Sequence, residues 1–418
     1  MFDPKEIDYV ILSHAHIDHC GDLPLLVKQG FTGTIFATAA TKDITNIMLQ
    51  DAAHIQEQDA LFIDKHKKPE EKSTEPLYTK EDANQVMLRF QAVDIGEPHQ
   101  ISNEIQFTFF EPGHVLGAAQ VYLEITEAGK PPIKLGFTGD LGRHHLPILR
   151  DPINLPIGID FLITESTYGN RDHDPIEQAR DRLAEIVNKV SQRGGKIIVP
   201  AFALERTQEL IYMLHELYDQ QRIPPLPIFV DSPLATSVTE IFRHHPECFD
   251  EETDDKFLNF FDDPFKFERV IYTRDLNESK SINDKHGPMI IISASGMCEF
   301  GRILHHLKNN IEDPRNLVLV VGFMAENTLG RRIKDGEKQV KIFGEQYKMK
   351  AEVVAIDYFS AHAGQTDLVS YITAIQPKKQ IFIVHGEEDA STTLKKKLEE
   401  AGIQADISIP MMGDEVEI

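Results

Sequence analysis

Three imidazoles and a carboxylate fall within positions 14 to 19 of the stretch Ser13-His14-Ala15-His16-Ile17-Asp18-His19-Cys20. On one tight loop the protonated rings repel one another, so a cause for gathering them is needed. A divalent cation is the simplest, because neutral imidazole nitrogens and carboxylate oxygens suit zinc. The loop follows a short apolar run, Tyr9-Val10-Ile11-Leu12, which reads as a buried strand. A small turn, Gly21-Asp22, and an apolar segment over 23–27 come after it.

Further along the chain, strand-like runs repeatedly end in a chemically capable residue. The run 105–110 leads to Glu111-Pro112-Gly113-His114, and 134–138 leads to Gly139-Asp140. The run 161–164 leads to Glu165, 352–358 to Ser360-Ala361-His362, and 381–384 to His385. Strand ends facing one crevice are where open α/β folds put their sites. A lone histidine at a strand end is more often a satisfied structural residue. His114, Asp140, Glu165, His362 and His385 together with a metal-demanding loop change that balance. Two zinc ions need more ligands than the loop offers, and Asp140 is of the type that bridges them.

The elements that position these residues divide by style. Between about 175 and 345, four apolar strands (196–199, 227–230, 289–293 and 317–321) alternate with helical segments such as 205–218 and 301–309. This alternation predicts a parallel, doubly wound sheet. Residues 41–60 carry apolar positions at helical spacing, and 65–83 read as a charged, solvated loop or helix end. The acidic, aromatic-rich stretch 246–285, with Phe249, Phe257, Phe260, Phe261, Phe265 and Phe267, reads as a helical excursion of the middle region. After 339 the strand-and-loop style of the first part returns.

A length of 418 residues suggests two domains, or one with a large insertion. Apolar content of 41% and charged content of 26% are ordinary for a soluble globular chain, and no apolar run reaches the length of a membrane span. The opening residues lack the features of a signal peptide, and Cys20, Cys248 and Cys298 form no even framework. The chain therefore reads as cytoplasmic, with reduced thiols. Its net charge of −24 argues against non-specific nucleic-acid binding but does not exclude a nuclease, since a metal pair is itself a concentrated positive charge.

The pattern H-x-H-x-D-H resembles the signature of the metallo-β-lactamase fold. Glu165-Ser166-Thr167-Tyr168-Gly169, Ser360-Ala361-His362 and Val384-His385-Gly386-Glu387 resemble the motifs of β-CASP nucleases, which carry an inserted second domain on that fold. Pro200-Ala201-Phe202-Ala203, Asp231-Ser232-Pro233-Leu234-Ala235 and Ser295-Gly296-Met297 match as well, so the resemblance spans nearly the whole chain. The nearest branch contains the nuclease subunit of the polyadenylation machinery and its prokaryotic homologues. The implied fold is α/β: an αββα sandwich built from residues 1–175 and 347–418, with an inserted β-CASP-type α/β domain over 176–346. The resemblance also implies that strands and an aspartate expected before the H-x-H-x-D-H loop are missing here.

The resemblance assigns roles residue by residue. His14, His16 and His114 hold one Zn²⁺, Asp18, His19 and His385 the other, and Asp140 bridges them. His362 acts on the scissile phosphate as a catalytic acid, Glu165 orients it, and Asp18 also counts among the catalytic residues. The implied reaction is hydrolysis of RNA phosphodiester bonds by hydroxide held between the metals, leaving 5′-phosphate and 3′-hydroxyl ends, with endonuclease and 5′-to-3′ exonuclease modes both left open by the sequence. Arg206, Ser232, Ser295, Gly296 and Arg302 are candidate phosphate contacts through backbone N–H groups and charge, and Ser360 sits in the turn of His362. The plainer reading of these turns is ordinary helix capping, with Arg302 paired to one of the many carboxylates. His305-His306 and His54 read as structural, and His215-Glu216 is no zincin motif because position 219 is Asp. The expected partner is single-stranded RNA, with no membrane and with a homodimer as the assembly. Two alternatives remain: a small-molecule hydrolase of the same fold, such as a thioesterase or lactonase, and a non-catalytic RNA-processing homologue.

Overall fold

The structure is a computed structural model that describes residues 2–67, 73–173, 175–256, 263–356, 358 and 360–417. The chain forms two compact units. The first comprises Met1–His144, Arg150–Asp172 and Ala361–Ile418, and the second His145–Leu149 and His173–Ser360.

The first unit has two sheets. Three parallel strands, in the order Tyr9–Ile11, Thr34–Ala37, Phe90–Ala92, make the smaller one. The larger has seven strands, in the order Asp406–Ser408, Gln380–Ile383, Phe161–Thr164, Ile133–Phe137, Gln120–Ile125, Ile105–Phe110, His99–Gln100. Its first four strands run parallel and the rest antiparallel. Phe36 and Val93 of the small-sheet side pack with Phe107, Phe109 and Val121 of the large sheet, so the two sheets share one apolar layer. Helices Leu23–Lys28, Ala39–His66 and Lys80–Met87 cover the outer face of the small sheet through Leu23, Leu49, Ala53 and Val86. Gln365–Ile375 and Glu388–Glu400 cover the large sheet through Leu368, Ile372, Leu394 and Leu398. The layers are α, β, β, α. The alternation of apolar side chains along each strand makes this arrangement possible, because a pleated strand presents successive residues to opposite faces.

The second unit holds a six-stranded sheet, in the order Val270–Tyr272, Ile228–Val230, Met289–Ser293, Lys196–Pro200, Leu317–Val320, Glu352–Ala355, parallel throughout. Ile197, Val199, Ile290 and Ile292 face one helical layer, while Ile198, Ile291 and Val318 face the other. Strands buried on both faces read as unbroken apolar runs, which is why they were visible in sequence.

Two expectations are corrected here. The stretch 246–285 is not purely helical: Val270–Tyr272 is a strand hydrogen-bonded beside Ile228–Val230. Phe257, Phe260 and Phe261 of that stretch, and residues 68–72 of the charged loop, lie outside the described residues. The segment 347–360, expected with the C-terminal part of the first domain, joins the second unit, because Glu352–Ala355 pairs with Leu317–Val320.

Candidate active site

All the residues expected to bind metal, and both His362 and Glu165, belong to the first unit. The Tyr9–Ile11 strand ends where the Leu12 amide bonds the Phe36 carbonyl, and the chain then turns into the short helix Ile17–Cys20. That turn places His14 inward at 1% exposure while Asp18 stays on the rim, with a side chain 60% exposed. His114 follows the strand Ile105–Phe110, and Asp140 follows Ile133–Phe137. Glu165 follows Phe161–Thr164, and His385 follows Gln380–Ile383. Strand ends of the two sheets thereby deliver residues that are up to 371 positions apart, from His14 to His385.

Asp140 is the hub. Its Oδ2 lies 3.4 Å from His14 Nε2 and 3.5 Å from both His19 Nε2 and His114 Nε2, and its Oδ1 lies 3.5 Å from His385 Nδ1. His16 Nδ1 lies 3.1 Å from His14 Nε2 and 3.3 Å from His114 Nε2. Donor atoms of His14, His16, His114 and Asp140 fall within 4.8 Å of one another, as do those of Asp18, His19 and His385. Burial pushes His14 below the ordinary histidine range, drives His114 well below it, and with His14 nearby takes His16 down to about 3. These rings are therefore neutral, the form that ligates.

The donor set fits metal ions. His19 Nε2, His114 Nδ1 and Asp140 Oδ1 are buried and make no hydrogen bond among the described residues. Imidazole nitrogens and carboxylate oxygens converge here more closely than their few N–H groups can satisfy, an arrangement that is costly unless cations share it. The rings are also oriented from behind. Ser13 Oγ lies 3.1 Å from His14 Nδ1. The Thr167 hydroxyl donates to the His385 carbonyl and so accepts from His385 Nδ1, 3.1 Å away, leaving Nε2 for a ligand. His385 Nε2 faces Asp18 Oδ2 at 3.3 Å, and this hydrogen bond raises the ring to about 9, so a cation entering there displaces a proton.

The loop carrying His114 is fixed at several points. The buried Glu111 carboxylate accepts from Gly113 N at 2.9 Å. Thr38 and Thr41 hydroxyls both donate to the Gly117 carbonyl, at 2.6 and 2.7 Å. Gly142 donates its N–H to Pro112 O at 2.7 Å, and a Cβ there would meet Gly113 O at 1.7 Å. Glu111, Thr38, Thr41 and Thr167 were not singled out in the sequence. Only Thr38, as a threonine before an apolar helical run, carried a local signal there.

His362 Nδ1 lies 3.0 and 3.1 Å from the two oxygens of Glu165, itself 1% exposed. Glu165 also accepts from Leu141 N at 2.7 Å and Thr167 N at 3.2 Å. Burial opposes a charge on His362, but the adjacent Glu165 carboxylate outweighs it, and the ring's pKa is raised. The His362 ring centroid is 4.6 Å from that of His114, which places the pair against the cluster of converging donor atoms.

The candidate phosphate contacts belong to the second unit, and their side chains are already engaged. Arg206, 7% exposed, forms a buried ion pair with Glu209 one helical turn on. Arg302 Nη1 donates to Asp231 Oδ1 at 2.7 Å, and its Nη2 to Arg274 O at 2.7 Å. Both guanidinium groups thus have carboxylate partners, and for Arg302 this is the plainer of the two readings. Ser232 caps the helix Pro233–His244 by accepting from Ala235 N, and Ser295 accepts from Glu299 N and Phe300 N. Gly296 lies against the Phe202 ring, and Ser360 is 6% exposed. His306, expected to be structural, is buried with Nε2 2.6 Å from Asp231 Oδ2.

Comparison with known proteins agrees with this geometry. Residues 2–189 match the family model of the metallo-beta-lactamase superfamily, 207–333 that of the Beta-Casp domain, and 346–409 that of the Zn-dependent metallo-hydrolase RNA specificity domain. The chain is 34% identical over 417 residues to Ribonuclease TTHA0252 of Thermus thermophilus, covering 100% of this chain and 89% of that protein. It is 31% identical over 395 residues to the transcription termination factor FttA of Methanocaldococcus jannaschii, and 32% identical over 406 residues to that of Pyrococcus horikoshii. Those matches cover 93% and 94% of this chain but only 60% and 59% of the archaeal proteins. With a sandwich, an inserted sheet and a converging donor set in family order, the chain belongs to the β-CASP family of metallo-β-lactamase-fold, metal-dependent hydrolases.

Proposed function

We propose that this protein is a zinc-dependent ribonuclease that hydrolyses single-stranded RNA with two metal ions, leaving 5′-phosphate and 3′-hydroxyl ends. The observation that carries the reading is the pair of donor groups on either side of Asp140, with the His362–Glu165 pair beside them. His14, His16 and His114 would hold one ion and Asp18, His19 and His385 the other, with the Asp140 carboxylate facing rings of both groups. Bound there, the ions supply Lewis acidity toward a phosphoryl oxygen and a water of lowered pKa. The chain's own residues do the rest. Glu165 accepts the Nδ1 proton of His362, which leaves Nε2 as the atom that gives a proton to the departing 3′ oxygen. The raised pKa of His362 keeps that proton in place near neutrality.

The relatives' names support RNA as the substrate: one is a ribonuclease, others are transcription termination factors. The match of 346–409 to an RNA specificity domain supports it further. Three free cysteines suit the reducing cytoplasm, and no helix among the described residues is long and apolar enough to cross a membrane. The test is to incubate zinc-loaded protein with end-labelled RNA and DNA and to map the product ends. Products with 5′-phosphate and 3′-hydroxyl ends, from RNA in preference to DNA, are expected. A 2′,3′-cyclic phosphate would mean that the RNA's own 2′ hydroxyl attacks, and the hydrolytic reading would fail.

A further inference from the structure

Within the second unit, a concave site of about 570 Å³ is formed by the helices Leu276–Asn283 and Ile303–Asn310, the loop before the latter, and the tip of a hairpin. Its volume lies in the range of small-ligand sites. The lining is unusual for solvent-facing surface. Phe300, Phe343 and Leu276 are 51%, 52% and 56% exposed, and all three line this one hollow. Clustered exposed apolar side chains mark places where something binds.

The two phenylalanines are held out by tight turns. Phe343-Gly344 joins Gln339–Ile342 to Glu345–Lys348 in a two-residue hairpin, with φ of 51° and 85°. That turn favours Asn-Gly, and a phenylalanine there costs both backbone strain and apolar exposure. Its ring nevertheless packs against His305, with centroids 4.7 Å apart and the planes tilted by 40°. Phe300 precedes Gly301, whose φ is 85°. Burial and the neighbouring His306 and Lys308 lower the His305 pKa, so this ring is neutral and suited to stacking.

The polar groups are few and convergent. The Lys280 side chain is exposed and makes no ion pair or hydrogen bond among the described residues. Asn309 Nδ2 donates to Asn283 Oδ1 at 2.9 Å, which leaves the Asn283 amide NH₂ and the Asn309 amide oxygen as a donor and acceptor set on the lining. Beneath them, Asp231 binds Arg302, His306, Thr273 and Ser279 together, so the floor is rigid and its charges are already satisfied. The acid on the lining, Glu299, accepts from Leu329 N.

We infer that this hollow is a second nucleic-acid subsite, which stacks an unpaired RNA base between Phe300 and the Phe343–His305 pair and sets the adjoining phosphate against Lys280. Aromatic faces with a nearby unpaired cation are what single-stranded nucleic acid requires. The inference rests on the RNA reading for its choice of polymer, but not on the hydrolytic chemistry. Its function would be to hold RNA on the second unit and so set which RNAs are retained.

The test uses the full chain, stripped of metal by a chelator so that nothing is cut. Binding of a fluorescein-labelled single-stranded oligoadenylate is followed by anisotropy. Phe343→Asn keeps the turn's favoured residue while removing the ring, and Phe300→Ala removes the other. Each is expected to weaken binding by roughly 5- to 100-fold. Lys280→Gln should lower the slope of log affinity against log salt by about one phosphate contact. An oligomer carrying 4-thiouridine should photo-crosslink within 300–305 or 339–348. Unchanged affinity in both ring variants, crosslinks confined to other segments, or no binding by the wild type would overturn the subsite. Metal-loaded protein that cuts RNA while the ring variants bind normally overturns the subsite alone. Ring-dependent binding without any cleavage leaves it standing and sinks the ribonuclease reading instead.

Discussion

His362 and Glu165 are 197 positions apart in the chain, yet Nδ1 of the one lies 3.0 Å from Oε1 and 3.1 Å from Oε2 of the other. The buried carboxylate has two backbone donors as well, from Leu141 and Thr167, so it is fixed in place and fixes the ring in turn. His362→Ala should lower turnover by roughly 10²–10⁴-fold, the range for a general acid, with bound zinc unchanged. Loss of zinc in step with activity would make His362 a ligand. Glu165→Gln tests the pair differently. Without the carboxylate the raised His362 pKa falls back, so the limb where activity declines with rising pH should move to lower pH. An unmoved limb would assign that titration to another group.

The two donor groups should empty separately. His114→Ala is expected to lose one of the two proposed ions and His385→Ala the other, whereas Asp140→Ala, which faces rings from both groups, should lose both. Metal-to-protein ratios after dialysis decide this. Equal loss from all three variants would mean a single cooperative site.

Gly142→Ala should damage the site without touching a ligand. Its Cβ would lie 1.7 Å from Gly113 O and 2.8 Å from His114 N, so the backbone that carries His114 must move. Overpacking of this kind costs roughly 1–3 kcal/mol. A lower thermal midpoint together with weaker zinc retention is expected. A variant that matches wild type in both would show that the loop absorbs the change elsewhere.

Glu111 links this loop to pH. Burial pushes its carboxyl up to about 7, against the opposing pull of the Gly113 N–H and Arg150. Because the folded pKa lies above the unfolded value of 4.5, its contribution is full below about pH 4.5 and is lost as the pH rises through about 7. The loss is on the order of 3 kcal/mol. Glu111→Gln keeps an oxygen for Gly113 N–H and has no charge to desolvate. In chemical denaturation of metal-stripped protein, the variant should therefore gain on wild type between pH 5 and pH 8. Parallel curves for the two proteins would refute the assignment.

The sequence by itself made the loop at 14–19 legible, because four candidate ligands so close in the chain are neighbours whatever the fold. It also determined the doubly wound middle sheet, since strands buried on both faces leave unbroken apolar runs such as Met289–Ser293. Tertiary structure decided the rest. An apolar strand of four residues does not encode its neighbour, so Glu352–Ala355 looked like part of the first domain until its hydrogen bonds to Leu317–Val320 placed it in the second unit. The same holds for charges. Arg302 and Asp231 are 71 positions apart, and nothing local distinguishes a guanidinium awaiting phosphate from one bound at 2.7 Å to a buried carboxylate. Which atoms face Asp140, and that Glu165 stands behind His362, depend on hydrogen bonds between strands far apart in the chain. Only the assembled sheets supply them.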